Sequence, residues 1–182
     1  MHKHENRLPS AWVTRFTPLI PRSGRILDLA CGSGRHLRQL ADRDQPLVGV
    51  DVDLSGVNDI SRNPGLELHQ LDLEQPDTQL PHASYAGIIV TNSLYRPLLD
   101  SLANYLAADG ILIYETFALG NEQFGRPRNP DFLLQPNELL NIFSTRLQII
   151  GFEQGYTANP APAIVQRMCA INSLDPQPLA NH

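Results

Sequence analysis

Short apolar runs alternate with helix-like stretches along most of this 182-residue chain, and that alternation constrains its fold more than any other feature. Residues 25–30, 47–51, 66–71, 86–91 and 111–116 are each five or six residues long and rich in Leu, Ile and Val, the lengths of buried strands. Between them, residues 34–41 place Leu37 and Leu40 on one side of a helix, and 55–61 make a short, weak one. Residues 97–107 make a helix whose opening Pro97 suits the first turn, and Asp109-Gly110 then turns the chain into the fifth strand. Buried strands alternating with helices call for a doubly wound α/β sheet, mostly parallel, with helices on both faces.

The flanks follow other rules. Trp12, Phe16 and Leu19 form one stripe of an amphipathic helix over residues 9–20. Residues 119–136 hold Gly120, Gly125, Pro127, Pro130 and Pro136, too many breakers for regular structure, and a helix then starts at 136–138 and reaches Phe143. Residues 147–156 and 163–172 read as two more strands, joined by a turn-rich segment that suits an antiparallel pair. One domain over residues 1–174 is expected, led by a segment (1–22) that carries the amphipathic helix and trailed by a loose tail (175–182).

Composition narrows the partners. Hydrophobic residues at 42% against 18% charged give a buried core and exclude disorder. No apolar run approaches a membrane span, and the polar opening lacks a secretory signal, so a cytoplasmic protein is expected. Cys31 and Cys169 stand far apart without a CxxC, so neither a disulfide framework nor a metal site is written in the spacing. Net charge is −5; residues 1–43 carry eight Lys or Arg against three acids, and residues 44–80 carry one against eight. Nucleic-acid binders concentrate a basic face. The basic lean of the first quarter makes nucleic acid a weaker partner class than a small molecule. Oligomeric state is not encoded legibly.

The chemistry lies at Asp28-Leu29-Ala30-Cys31-Gly32-Ser33-Gly34, where the first strand turns into a helix. A dinucleotide loop needs G-x-G-x-x-G, and its third glycine position is Leu37 here. An acid before the turn would also repel a diphosphate. S-adenosyl-L-methionine poses the opposite problem, since its amino-acid end is an ammonium on a sulfonium. Asp28 can attract that cationic end, while Ala30, Cys31, Gly32 and Gly34 are small enough for backbone and ligand to approach. An ordinary glycine turn is the plain alternative. Asp51 ends the second strand, where an acid takes both ribose hydroxyls, with Asp53 as the fallback. Asp72 ends the third, where Asp72 and Leu73 can read the adenine edge. Acids at the ends of three successive strands fall on the edge where parallel sheets bind ligands.

Residues 26–36, containing this turn, resemble the first motif of class I S-adenosylmethionine-dependent methyltransferases; Val48-Gly49-Val50-Asp51 resembles the second and Leu71-Asp72-Leu73 the third. The wording of the first is similar to small bacterial members of the tellurite-resistance type, although Ala30 stands where the family often has glycine. The resemblance implies a seven-stranded sheet with an antiparallel last strand. It implies S-adenosyl-L-methionine as cofactor, held by the residues above together with Ser33, Val52, Thr91 and Asn92. It also implies methyl transfer by in-line displacement, with no obligatory base.

Acceptor contacts are sought at two segments. Asn92-x-x-Tyr95 is similar to the N-P-P-Y box of amino-group methyltransferases, but Ser93 and Leu94 replace both prolines; a turn cap at Asn92 with a packed Tyr95 is the plainer reading. The segment that leaves the fifth strand offers Phe117, Phe124, Arg126 and Arg128 as an acceptor lid whose arginines meet an anionic group, with a long connection whose arginines face solvent as the plain alternative. Tyr95, Glu115, Arg126 and Arg128 are thus the acceptor-positioning candidates, and no catalytic base is named. His36 reads as a helix-surface histidine, and His69 and His82 have no assignable carboxylate partner. An RNA or protein methyltransferase working with a partner, a subunit that binds the cofactor without turnover, and an NAD(P) oxidoreductase are the rival readings.

Overall fold

Strand β1 (Ile26–Leu29) is buried along its whole length near the middle of a seven-stranded sheet of order β3-β2-β1-β4-β5-β7-β6. The structure is a computed structural model and describes residues 8–75, 78–82 and 84–176. Strands β2 (Leu47–Asp51), β3 (Leu66–Gln70), β4 (Tyr85–Thr91) and β5 (Leu106–Phe117) run parallel to β1. Strand β7 (Ala163–Ile171) inserts antiparallel between β5 and β6 (Gln148–Thr157). The chain winds outward from β1 to β3 on one side and from β4 onward on the other. The carboxyl ends of β1 and β4 therefore flank the switch point at which such sheets open a crevice.

Period-two alternation assigns each strand's side chains to two cores. On one face Leu27, Val50, Ile88 and Leu112 pack with helices α3 (Arg96–Leu102) and α4 (Glu138–Phe143). On the other, Ile26, Leu47, Ile89 and Ile113 pack with α1 (Ala11–Phe16) and α2 (Arg35–Leu40). Gly87 in β4 makes room for the second layer, because a Cβ there would stand 2.7 Å from Ile20 Cδ1.

Three expectations change. Leu19 is 47% exposed, since Pro18 converts the end of the first helix into a 3₁₀ turn and swings Ile20 into the core instead. The helix expected over 97–107 stops at Leu102, and after one 3₁₀ turn Leu106 and Ala107 already belong to β5. The side chain of Asn172 donates to the carbonyls of Leu106 and Ala107 at 3.1 and 3.0 Å, which stabilises the extended path over a further helical turn. The weak helix over 55–61 is a single 3₁₀ turn, Ser55–Val57. The amphipathic stripe otherwise stands: Trp12 and Phe16 are core residues. The polar opening (1–7) and the end of the expected tail (177–182) lie outside the described residues. No helix among the described residues is long and apolar enough to cross a membrane.

The irregular segment 119–136 is anchored rather than free. Arg96 donates to both carboxylate oxygens of Glu138 at 2.7 and 3.0 Å, and to the carbonyls of Asp131 and Leu133. Burial alone would raise the Glu138 carboxyl, but the Arg96 hydrogen bond, the Gln135 N–H and the Arg96 charge outweigh it and hold the group below its ordinary value of 4.5. A depressed carboxylate stabilises the fold fully above its unfolded value and loses that contribution as pH falls through the folded one. Arg96→Ala is therefore expected to cost about 1–2 kcal/mol at neutral pH, discounted because the Arg96 side chain is 38% exposed. Urea unfolding should show that deficit shrinking as the pH is lowered through the acid range; a deficit independent of pH would mean the pair contributes nothing.

Candidate active site

The turn after β1 is built from left-handed residues. Ala30, Gly32 and Gly34 have φ of 56°, 51° and 71°, which bends the strand sharply into α2. Gly34 is required twice over: besides its φ, a Cβ there would lie 2.5 Å from Val57 Cγ1. At Gly32 a Cβ would meet nothing within 4 Å, so the turn presents bare backbone to open space. Asp51 at the end of β2 locks this arrangement, its Oδ2 accepting the Gly32 N–H at 2.7 Å and its Oδ1 the Asp53 N–H at 3.0 Å.

A cleft of about 360 Å³ lies over the turn, lined by Ala30, Cys31, Gly32, Ser33, Arg35, Asp51, Thr91, Asn92 and Ser93. Seven of these are the expected cofactor residues. Arg35, which sequence reasoning passed over, crosses the cleft and donates to Thr91 Oγ1 at 3.3 Å. Asn92 takes a left-handed φ of 55°, which asparagine tolerates, and its N–H donates to the Glu115 carbonyl at 2.9 Å. The buried Tyr114 hydroxyl donates to the Ser93 carbonyl at 2.8 Å and steadies the same bend; burial raises its pKa, so it stays a donor.

A second cavity of about 470 Å³ adjoins the first, sharing Arg35 and Asn92. Glu115, Phe117, Phe124 and Arg126 line it, with Ser10 from the N-terminal segment and Arg167 from β7. Glu115 and Arg167 sit opposite each other in the β5–β7 register and form an ion pair with Nε–Oε2 of 2.5 Å, although its angles are not those of an aligned hydrogen bond. Arg167 also stands 3.5 Å from Glu153. Arg126 has no ion pair among the described residues. Neither cavity is lined by Tyr95 or Arg128, so the Asn92–Tyr95 box is not assembled at the cleft and only one of the two candidate arginines faces the larger cavity. Val52, Asp72 and Leu73 also lie outside the linings. Asp72 is engaged by its own turn, accepting from the Glu74 N–H and the Gln75 side chain, which together lower its pKa with the side-chain contact leading.

Asp28 lies behind the cleft wall, 1% exposed, with neither carboxylate oxygen hydrogen-bonded within the described residues. His36 is not on a helix surface but equally buried, with Nδ1 3.7 Å from Asp28 Oδ1. Its Nε2 accepts the Ser10 N–H at 3.2 Å, so the neutral ring carries its proton on Nδ1, facing the carboxylate. The helical pattern could not reveal this, because the residues that cover His36 come from the chain ahead of β1. The Cys31 thiol is pushed up to about 12 by burial first and then by the charges of Asp28 and Asp51, so it lines the cleft as a neutral small side chain. His69 and His82 share a partner after all: His82 Nε2 lies 2.7 Å from Glu67 Oε2 and His69 Nε2 lies 3.6 Å from the same oxygen. The His82 hydrogen bond is the main cause of a lowered Glu67 pKa.

A glycine turn at the switch point, fastened by a strand-end acid and opening onto a second cavity, is the arrangement that the family comparison explains. The sequence profile of the methyltransferase domain matches residues 1–150. The chain belongs to the methyltransferase-domain family. No curated protein matches it in sequence. Among solved structures, TehB from Haemophilus influenzae superposes with a TM-score of 0.69 at 16% identity, covering 88% of this chain and 61% of that one. An S-adenosylmethionine dependent methyltransferase from Mesorhizobium loti gives 0.68 at 17% identity, covering 88% and 98%. The N-methyltransferase NodS from Bradyrhizobium japonicum, in complex with S-adenosyl-L-homocysteine, gives 0.63 at 18% identity, covering 87% and 86%. The fold is the one these structures share, and S-adenosyl-L-methionine is the cofactor that a methyltransferase domain implies.

The methyltransferase cleft fits that group. The Asp28 carboxylate, without a hydrogen bond among the described residues, stands behind the cleft wall, and the open side of Gly32 is where backbone can approach the group. Ala30 has the one strained backbone of the turn, since a left-handed alanine costs about 1–2 kcal/mol. Ala30→Gly is expected to raise stability by about 1 kcal/mol, measured as a higher Tm without ligand; an unchanged or lower Tm would mean that the lost entropy of the unfolded chain outweighs the relief.

Proposed function

We propose that this methyltransferase transfers the methyl group of S-adenosyl-L-methionine to a small-molecule acceptor that carries an anionic group. The observation behind this reading is the junction of the two cavities at Arg35 and Asn92, one over the glycine turn and one walled by Phe117, Phe124 and Arg126. A volume of about 470 Å³ is the size of a small-molecule site. Arg126, which has no ion pair among the described residues, supplies a guanidinium for a carboxylate or phosphate. Arg167 is balanced by Glu115 and Glu153, so that pair orients the acceptor rather than neutralising it.

In this reading Asp28 attracts the cofactor's ammonium, and the backbone of residues 30–34 lies along its methionine portion. Asp51, whose oxygens each keep a lone pair beyond the Gly32 and Asp53 bonds, takes the ribose hydroxyls. Val52, Asp72 and Leu73 border the adenine, and Thr91 and Asn92 close the side toward the acceptor. When bound, S-adenosyl-L-methionine supplies a methyl already activated on a sulfonium, so a thiolate, amine or soft anion needs no general base. The protein's part is alignment and exclusion of water. Glu115, fixed by Arg167, accepts a hydrogen bond from the acceptor's N–H or O–H.

Two experiments test this. Calorimetric titration should show S-adenosyl-L-homocysteine binding and NADH not binding, with the first weakened about 10–100-fold in Asp51→Ala through loss of charged hydrogen bonds; equal affinity in the variant would remove Asp51 from the site. A panel of small carboxylates and phosphates, read by S-adenosyl-L-homocysteine release, should then find Arg126→Ala raising acceptor KM about tenfold or more with cofactor affinity intact. An unchanged KM would end the anionic-acceptor reading. No turnover across a broad panel, with tight cofactor binding, would favour the binding-only subunit instead.

A further inference from the structure

Away from the cleft, Glu67 and His69 occupy alternate positions of β3 and so project from the same face. His82, at the far end of the β3–β4 connection, is brought over them, its own N–H donating to the Tyr85 hydroxyl at the start of β4. These three form the one group among the described residues whose ligand atoms could surround a metal ion, all lying within 4.8 Å of one another.

We propose that Glu67, His69 and His82 bind a divalent transition-metal ion of the zinc class. Two imidazoles and one carboxylate are a zinc donor set and a poor one for magnesium or calcium, which take oxygen. Ligands at zinc bond lengths in a tetrahedron stand about 3.3 Å apart; the separations of 2.7 and 3.6 Å from Glu67 Oε2 to the two ring nitrogens bracket that value. His69 Nε2 is buried and has no hydrogen-bond partner among the described residues, its nearest carboxylate oxygen being Glu67 Oε2 at 3.6 Å, so it is a ligand atom aimed at the cluster. Arg25 stands 3.7 Å from Glu67 Oε1, the oxygen that does not face the imidazoles, where it orients the carboxylate and leaves Oε2 for the ion. Three protein ligands leave the fourth position to water. The ion would tie the start of β4 to the edge strand β3, closing the connection that leaves β3 through Asp72 and Leu73.

The proposal rests on these residues alone and not on the methyl-transfer reading. Tag-free full-length protein, stripped with chelator, should bind about one zinc per chain by calorimetry and show the visible absorption of imidazole-ligated cobalt when loaded with that metal. His69→Gln with His82→Gln should weaken zinc by more than the roughly 10–100-fold that loss of an outer hydrogen-bonding partner costs. His2→Gln with His4→Gln, outside the described residues, should leave zinc affinity unchanged. S-adenosyl-L-homocysteine affinity of the zinc-free protein reports on the cofactor site separately. If the double variant fails to fold, Glu67→Gln carries the same expectation for zinc with the side-chain shape preserved. Absence of zinc binding, or binding that survives in the His69 and His82 double variant and disappears with the N-terminal pair, overturns the assignment.

Discussion

One charged hydrogen bond organises the cleft: Asp51 Oδ2 accepting the Gly32 N–H at 2.7 Å. It joins the end of β2 to a turn that is also held by the Cys31 N–H on the Val50 carbonyl and by Arg38 on the Ser33 carbonyl. Parallel pairing alone sets β1 beside β2, but it does not fix where the chain goes after the last ladder bond. The carboxylate does, and it is itself held by the Asp53 N–H. Gly32 then faces space rather than protein, and Arg35 at the start of α2 is delivered across to Thr91.

A second set of contacts builds the neighbouring cavity from parts remote in sequence. Its walls come from the N-terminal segment, the end of β5, the segment anchored by Arg96, and β7. The antiparallel insertion of β7 beside β5 places Arg167 across from Glu115. The buried histidine His36 connects the N-terminal segment to β1, through the Ser10 N–H on one side and Asp28 on the other. The cavity is thus a product of the tertiary fold, whereas the glycine turn is local.

That distinction explains what could be read from the sequence. The parallel strands, the turn with its acid, and the lining residues Ala30, Cys31, Gly32 and Asp51 follow from short-range patterns, because strand length, glycine and strand-end position are local properties; Ser33, Thr91 and Asn92 come from the family resemblance. Arg167 does not, since its meaning depends on pairing with a strand about fifty residues earlier. Tyr95 belongs to a box that resembles N-P-P-Y and Arg128 to the segment that holds Arg126, and neither lines the cavities. The burial of His36 and the Glu67 contacts of His69 and His82 depend on segments whose return path no periodicity encodes. Leu19 and the end of the helix over 97–107 differ for a simpler reason: a proline and a side-chain cap changed the backbone within one turn.

Arg35 belongs to both cavities at once. A single side chain adopts one position at a time, so a molecule that draws it to one side remodels the wall met by a molecule on the other. By thermodynamic reciprocity the two occupants then change each other's affinity by the same factor. Coupling between two occupants of such a site would be carried by the guanidinium shared between them and needs no movement of the sheet.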